Sequence, residues 1–352
     1  MLDTTPGSLQ PEAPLNDLGP LAWVFDELRK SLEGANKSIR RFVRESDQSR
    51  RDDLEAVDPA PLRVARQQLH QAVGALEMVG LAAPAQVLRA MESAVNRFVQ
   101  KPQTCTEETA AKVEKAGFAL VEYLELVLSN KPVHPVALFA QYRDVQEITG
   151  AERVHPADLW PFETRGLDIG APASGSALQV DARLRSLMDR LVLLVVKSHS
   201  PAAALQLARL SGNLATMAGG GRVTTFWRVA AAYFEAVGLN LLSGDVYAKR
   251  AASRILLQYA AFSQGQTQVS ETLLHDLLFF CSQADPGDRP TQHLKAVRDA
   301  FNLASLRPVD YTQATLGRYD PALLLQARKR INAAKESWSL YAGGDASRGR
   351  QV

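Results

Sequence analysis

His70 is the residue whose type and setting could do chemistry, because a neutral imidazole can take a phosphoryl group from an acyl phosphate, and Gly74 follows one helical turn later. Leu62, Ala65, Leu69, Val73, Leu76 and Val79 recur at steps of three and four, the spacing of a buried stripe on a helix. Arg66, His70, Gly74 and Glu77 therefore share the opposite, wetted face. A glycine inside a helix costs about 0.5–1 kcal/mol relative to alanine, so Gly74 points to close approach by something large, a docking partner or a phosphoryl group. In-line transfer also needs cations to offset charge on the equatorial oxygens. Val73 supplies none, which leaves Arg66, on the same face, or Arg63 for that role. The bland alternative is an ordinary surface histidine on a relict helix.

The other candidates are weaker. Ser211, between Leu210 and Gly212 in a run of small residues, is read either as a hydroxyl bonded back to the backbone or as a phosphoacceptor. His134 and His155 each precede a proline, while His199 and His275 are isolated, and none forms a pair with metal-ligand spacing. Gly219-Gly220-Gly221-Arg222 follows a helical pattern and lacks the lysine-serine pair of a phosphate loop, so it is predicted to be a helix C-cap and turn. No metal and no cofactor is implied.

The elements that must position these residues are helices. Nearly every long segment has a period near 3.6, and alternating strand patterns are scarce, so the fold class is all-α. Helices are predicted over Pro20 to Glu45, Pro61 to Val79, Pro84 to Gln100, Thr106 to Ser129 and Pro135 to Thr149, giving a first bundle over residues 20–150 that carries His70. Ser49-Arg50-Arg51-Asp52-Asp53 is predicted to be a solvated turn. Residues 151–177 break into prolines and glycines, with Leu159-Trp160-Pro161-Phe162 apolar enough to pin this linker against a bundle. A second bundle is expected over 178–341, from Leu178 to Lys197, Pro201 to Ala218, Thr224 to Ser243, Asp245 to Gln264, Ser270 to Cys281, Thr291 to Asn302 and an amphipathic tail helix over Pro321 to Tyr341. Residues 1–19 and 342–352 are expected to be disordered.

Composition narrows the function classes. The chain of 352 residues has 46% hydrophobic and 22% charged residues with a net charge of +2, so nothing draws it as a whole to nucleic acid or anionic lipid. Cys105 and Cys281 are far apart and are read as unpaired thiols. No secretory signal is visible at the N-terminus, and the longest apolar run, Leu191 to Val196, falls far short of the roughly 20 residues that cross a bilayer. The expected location is the cytoplasm, without membrane insertion.

The halves also suggest an internal duplication at an offset of 141 residues, which lays His70 on Ser211 and Gly80 on Gly221. The segment Leu21-Ala22-Trp23-Val24-Phe25-Asp26-Glu27-Leu28, the core His70-Gln71-x-x-Gly74-x-Leu76-x-Met78-Val79, and Arg143-Asp144-Val145-Gln146 running toward Leu159-Trp160-Pro161-Phe162 resemble the N-terminal region of type IV pilus chemosensory kinases. Those are large CheA-like hybrids of the ChpA/PilL type, and the stand-alone FimL proteins are related to them. Leu205 to Gly221 followed by Thr225-Phe226-Trp227-Arg228 resembles the matching part of FimL-like proteins.

The resemblance implies two histidine-phosphotransfer-like (Hpt-like) bundles in a pathway controlling pilus assembly and twitching motility, some of which act only as docking platforms. Its implied partners are response-regulator receiver domains or other pilus chemosensory proteins; dimerisation is left open. A competent phosphotransfer domain of this kind shows His-x-x-Lys-Gly, and here the glycine is kept while Val73 replaces the lysine. No kinase ATP-binding segment can be read. A signalling scaffold is therefore favoured, the alternative being an active phosphotransfer domain with His70 as acceptor, supported by Gln71, Gly74, Arg66 and Arg63, and with Ser211 as its counterpart in the second bundle.

Overall fold

The computed structural model describes residues 18–51, 58–164, 168–170, 180–303 and 308–342. These contain twelve α-helices and no strand, which establishes the all-α class. The terminal segments expected to be disordered lie almost wholly outside the described residues. Two compact units are present, one made of residues 15–159 and 310–352, the other centred on 160–309.

The first unit is built on α1 (Gly19–Arg51), α2 (Ala60–Val79), α3 (Ala82–Gln100), α4 (Glu107–Leu128) and α5 (Phe139–Thr149). In it α1 packs on α2 and α4, α2 on α3, and α3 on α4, closing a ring that α5 covers from the side of α3 and α4. Leu28, Leu32, Ile39 and Phe42 of α1 meet Leu62, Leu69 and Leu76 of α2, Leu88, Met91 and Phe98 of α3, and Leu120 and Leu124 of α4 in a dry core. Helix α1 runs past the predicted end at Glu45, so Ser49, Arg50 and Arg51 belong to its last turn rather than to a loop; Asp52 and Asp53 are outside the described residues. Thr106 and Thr109 form a reciprocal cap at the start of α4.

A short 3-10 turn over Pro135–Leu138 leads into α5, and His134 caps it by accepting the Val136 N–H on Nδ1 at 3.2 Å. Burial lowers the pKa of His134 to about 4. An unfolded histidine titrates near 6.5, so between these values the unfolded chain holds the extra proton and stability falls as pH drops through that window. Unfolding in urea should show this site contributing roughly 2 kcal/mol less at pH 5 than at pH 7, and His134→Asn should remove that part of the slope. An unchanged slope in the variant would refute the assignment.

The second unit comprises α6 (Ala182–Ser198), α7 (Pro201–Met217), α8 (Gly221–Gly238), α9 (Val246–Ser263), α10 (Glu271–Gln283) and α11 (His293–Ala300). Asp181, Ser200, Asp245 and Ser270 cap four of these helices with side-chain oxygens. Helix α8 is the centre: α7, α10 and α11 pack on it, and Phe226, Trp227, Tyr233 and Phe234 are all buried. The α7–α8 turn carries positive φ at Gly219, Gly220 and Gly221, a path that favours glycine. It is a turn between helices, as the sequence indicated. Helix α8 ends at Gly238, short of the predicted Ser243; a Cβ at Gly238 would lie 2.7 Å from Leu205 of α7, so only glycine admits this closeness.

Residues 156–159 form a 3-10 turn in the first unit. Trp160 is buried in the second, stacked on Phe162 with ring centroids 4.5 Å apart and edge-on to Phe279. Further along, the Ile169 N–H donates to Thr225 Oγ1 at 2.9 Å and Arg228 to the Gly170 carbonyl at 2.6 Å, so α8 holds this stretch in place. Gly166, Pro172 and Gly175 of the linker lie outside the described residues.

After Val309 the chain re-enters the first unit. Tyr311 sets its ring edge-on to Phe139, Gln141 donates to the Leu316 carbonyl at 2.6 Å, and the Gly317 N–H donates to Glu122 Oε2 at 2.9 Å. The tail helix α12 (Pro321–Ala342) follows and touches α4. The segment expected from sequence to close the second bundle thus makes these contacts in the first unit.

Candidate functional site

The α2–α3 hairpin turns at Leu81, so residues equally distant from that point along the two helices face each other. His70 and Glu92 are each eleven residues away, Arg66 and Asn96 each fifteen. The His70 Nδ1 lies 3.0 Å from Glu92 Oε1, and Arg66 donates to Asn96 Oδ1 at 3.1 Å. Closer to the turn, Arg89 donates to Glu77, with Nε at 2.8 Å. The result is a polar ladder along one exposed seam.

The His70 side chain is 75% exposed. An ionised carboxylate can only accept, so the Nδ1 proton belongs to the ring and the Nε2 lone pair is left for a reacting atom. Glu92 also stabilises the positive charge that develops on the ring when Nε2 forms a bond. Arg66, one turn before His70, keeps an uncompensated charge in its contact because Asn96 is neutral, whereas Arg89 is matched by Glu77. Arg63 and Gln71 are exposed. Val73 is buried and contributes packing only.

A Cβ added to Gly74 would meet nothing within 4 Å, so no part of this chain makes the close approach that the glycine suggested. The space above the helix is open to an incoming molecule. Just beyond it Met78 is 83% exposed, and the contact of Gly34 with Gln68 sets a register between α1 and α2 that brings the 87% exposed Trp23 to the same level. Large exposed apolar side chains beside a polar ladder are the composition of a docking face.

Glu92 was not found from sequence, although the glycine turn at Gly80 fixes the hairpin register and would have pointed to it. The second unit repeats the helix spacing: α7, α8 and α9 begin 141, 139 and 139 residues after α2, α3 and α4. Ser211, the counterpart of His70, has 0% exposure, and its Oγ has no hydrogen-bond partner among the described residues. His293 of α11 lies so close over Gly212 that a Cβ there would fall 2.9 Å from its ring. The equivalent face is therefore covered by the unit's own helix and cannot receive a phosphoryl donor as it stands.

His134 and His155 are structural, each accepting a backbone N–H on Nδ1. His199 contacts the Gly244 carbonyl and His275 lies against Trp160. Cys105 and Cys281 are buried free thiols; burial pushes Cys105 up to about 12 and Cys281 higher still. Among the described residues no group of three His, Cys, Asp or Glu could hold a metal ion, and no helix is long and apolar enough to cross a membrane.

Fold and site together define an all-helical protein whose first unit presents a polar histidine face and whose second unit closes the equivalent face. Residues 173–314 match the family model described as the FimL scaffold protein second domain, which spans most of the second unit and the beginning of the returning segment. The chain thus carries a FimL-like region. No curated protein and no solved structure matches it.

Proposed function

We propose that this chain is a cytoplasmic signalling scaffold of a type IV pilus chemosensory pathway, with two Hpt-like bundles that dock protein partners through helix faces. The observation that carries the reading is the match of residues 173–314 to a FimL scaffold domain. The face formed by His70, Gly74, Met78 and Trp23 suits a response-regulator receiver domain, since it offers an open polar seam with exposed apolar anchors at one end. Titration calorimetry with a purified receiver domain of the pathway should show binding to the wild type that Met78→Glu weakens by about tenfold or more. Absence of binding by every component of that pathway would end the scaffold reading.

The contact of Glu92 with His70 favours a second reading, phosphotransfer at His70. In that step the Nε2 lone pair attacks phosphorus in line, the bond to the aspartyl oxygen of the donor breaks, and the carboxylate leaves. Arg66 would offset charge on the phosphoryl oxygens, and Glu92 would hold the ring. A receiver domain carrying labelled phosphate should then label the wild type and Ser211→Ala but not His70→Gln, with Glu92→Gln slowed by about 10–100-fold. With an active donor, no label on any variant would leave His70 as part of a docking face only.

A further inference from the structure

Helix α12 is 22 residues long, about 33 Å, and every one of its described side chains except Ser337 is exposed. Helices in folded proteins are held chiefly by tertiary burial of one face, so a helix this exposed points to a partner. Leu324 and Ile331, at 40% and 55% exposure, stand seven residues apart, and Trp338, 60% exposed, continues the same row. Ala327 and Ala334 fall three residues after Leu324 and Ile331. This is the a/d pattern of a helix-pairing seam, with large residues alternating with small ones that allow close approach.

The flanks of that seam carry Arg328, Arg330 and Lys335, while the helix's single acid, Glu336, lies on the far side with Lys329. A second copy would set these cations against each other in either orientation, because flanking positions pair across a helix dimer. An acidic partner would meet them favourably.

We propose that α12 is a docking element for a partner helix whose apolar seam is bordered by Asp and Glu. The surface is distinct from the His70 face and does not depend on what binds there. It is tethered to the first unit through the Gly317 contacts with α4, so a partner captured here stays attached to the bundle that carries His70.

The probe is a synthetic three-heptad peptide with leucine at a and d and glutamate at e and g, titrated into the full chain by fluorescence anisotropy. Its counterpart with lysine at e and g is the control. The expected result is binding of the acidic peptide only, weakened at least about tenfold by Ile331→Glu and by the combined Arg328→Glu, Arg330→Glu and Lys335→Glu change, and weakened by added salt. All four positions are exposed, so the bundle should fold in every variant. Equal binding of both peptides, or of neither, overturns the proposal. So would self-association abolished by Ile331→Glu, or binding to phosphatidylserine vesicles that the charge reversals abolish while the peptide is not bound.

Discussion

Replacing Gly317 by alanine should detach the returning segment from the first unit and destabilise that unit by about 3 kcal/mol or more. Gly317 has φ of 68°, where a β-carbon is disfavoured by about 1–2 kcal/mol. The larger effect is contact: the new carbon would fall 2.6 Å from the Lys115 carbonyl oxygen, 2.8 Å from Ala119 Cβ and 2.9 Å from the Ala119 nitrogen. These atoms belong to the backbone and core side of α4 and have no rotamer to change. Relief requires the segment to move outward, which breaks the Gly317 bond to Glu122 and the Gln141 bond to Leu316 and uncovers Leu316 and Tyr311.

The loss is bounded by the free energy of releasing residues 310–320. Gly265 provides the control, since its φ is 81° and a Cβ there meets nothing within 4 Å. Gly265→Ala should cost only about 1 kcal/mol. Hydrogen exchange should show amide protection at residue 317 collapsing in the first variant alone, and a protected amide there would sink the argument. Because α12 follows directly, the same variant should also free the tail helix from α4.

The second large effect is expected at Glu235, a carboxylate buried in α8. Helix α11 has only eight residues and no capping side chain of its own; Glu235 instead accepts the Gln292 N–H at 3.0 Å and the Leu294 N–H at 2.6 Å. Those donors would otherwise be orphaned near the positive end of a helix. At the other end Arg298, also buried, donates to the carbonyls of Cys281, Ser282 and Ala284, which terminates α10 and ties α11 to it. Glu235→Ala removes a charge-assisted cap and leaves buried donors unmatched, a loss of roughly 2–4 kcal/mol.

Glu235→Gln keeps one acceptor oxygen and should fall between the two. The expected signature is a lower urea midpoint together with fast exchange of the Leu294 amide while Tyr233 and Phe234 stay protected. If that amide kept its protection in Glu235→Ala, α11 would be held by packing alone. Loss of α11 would also uncover Gly212 beneath His293, opening the face that is closed in the second unit.

Local periodicity was enough for the helices and for the exposed face of His70, since a step of three or four residues separates buried from wetted positions without reference to the rest of the chain. The 141-residue repeat was legible in the same way, because equal spacing of helix starts survives changes of side chain. Two features required pairing information. Glu92 reaches His70 only through the α2–α3 register, and Ser211 is buried only because α11, a helix with no counterpart in the local pattern, lies over Gly212.

The destination of residues 310–342 was decided by tertiary structure alone. Asp310 to Asp320 has no hydrophobic period, and the contact of Gly317 with Glu122 spans 195 positions. Composition cannot encode a backbone approach of that kind, because it depends on where two distant carbonyl and amide groups meet. The sequence by itself determined which faces are apolar, where the helices begin and which histidine stays in water. Only the packed structure decided which of those faces is covered, because burial is a property of the partner surface as much as of the residue buried.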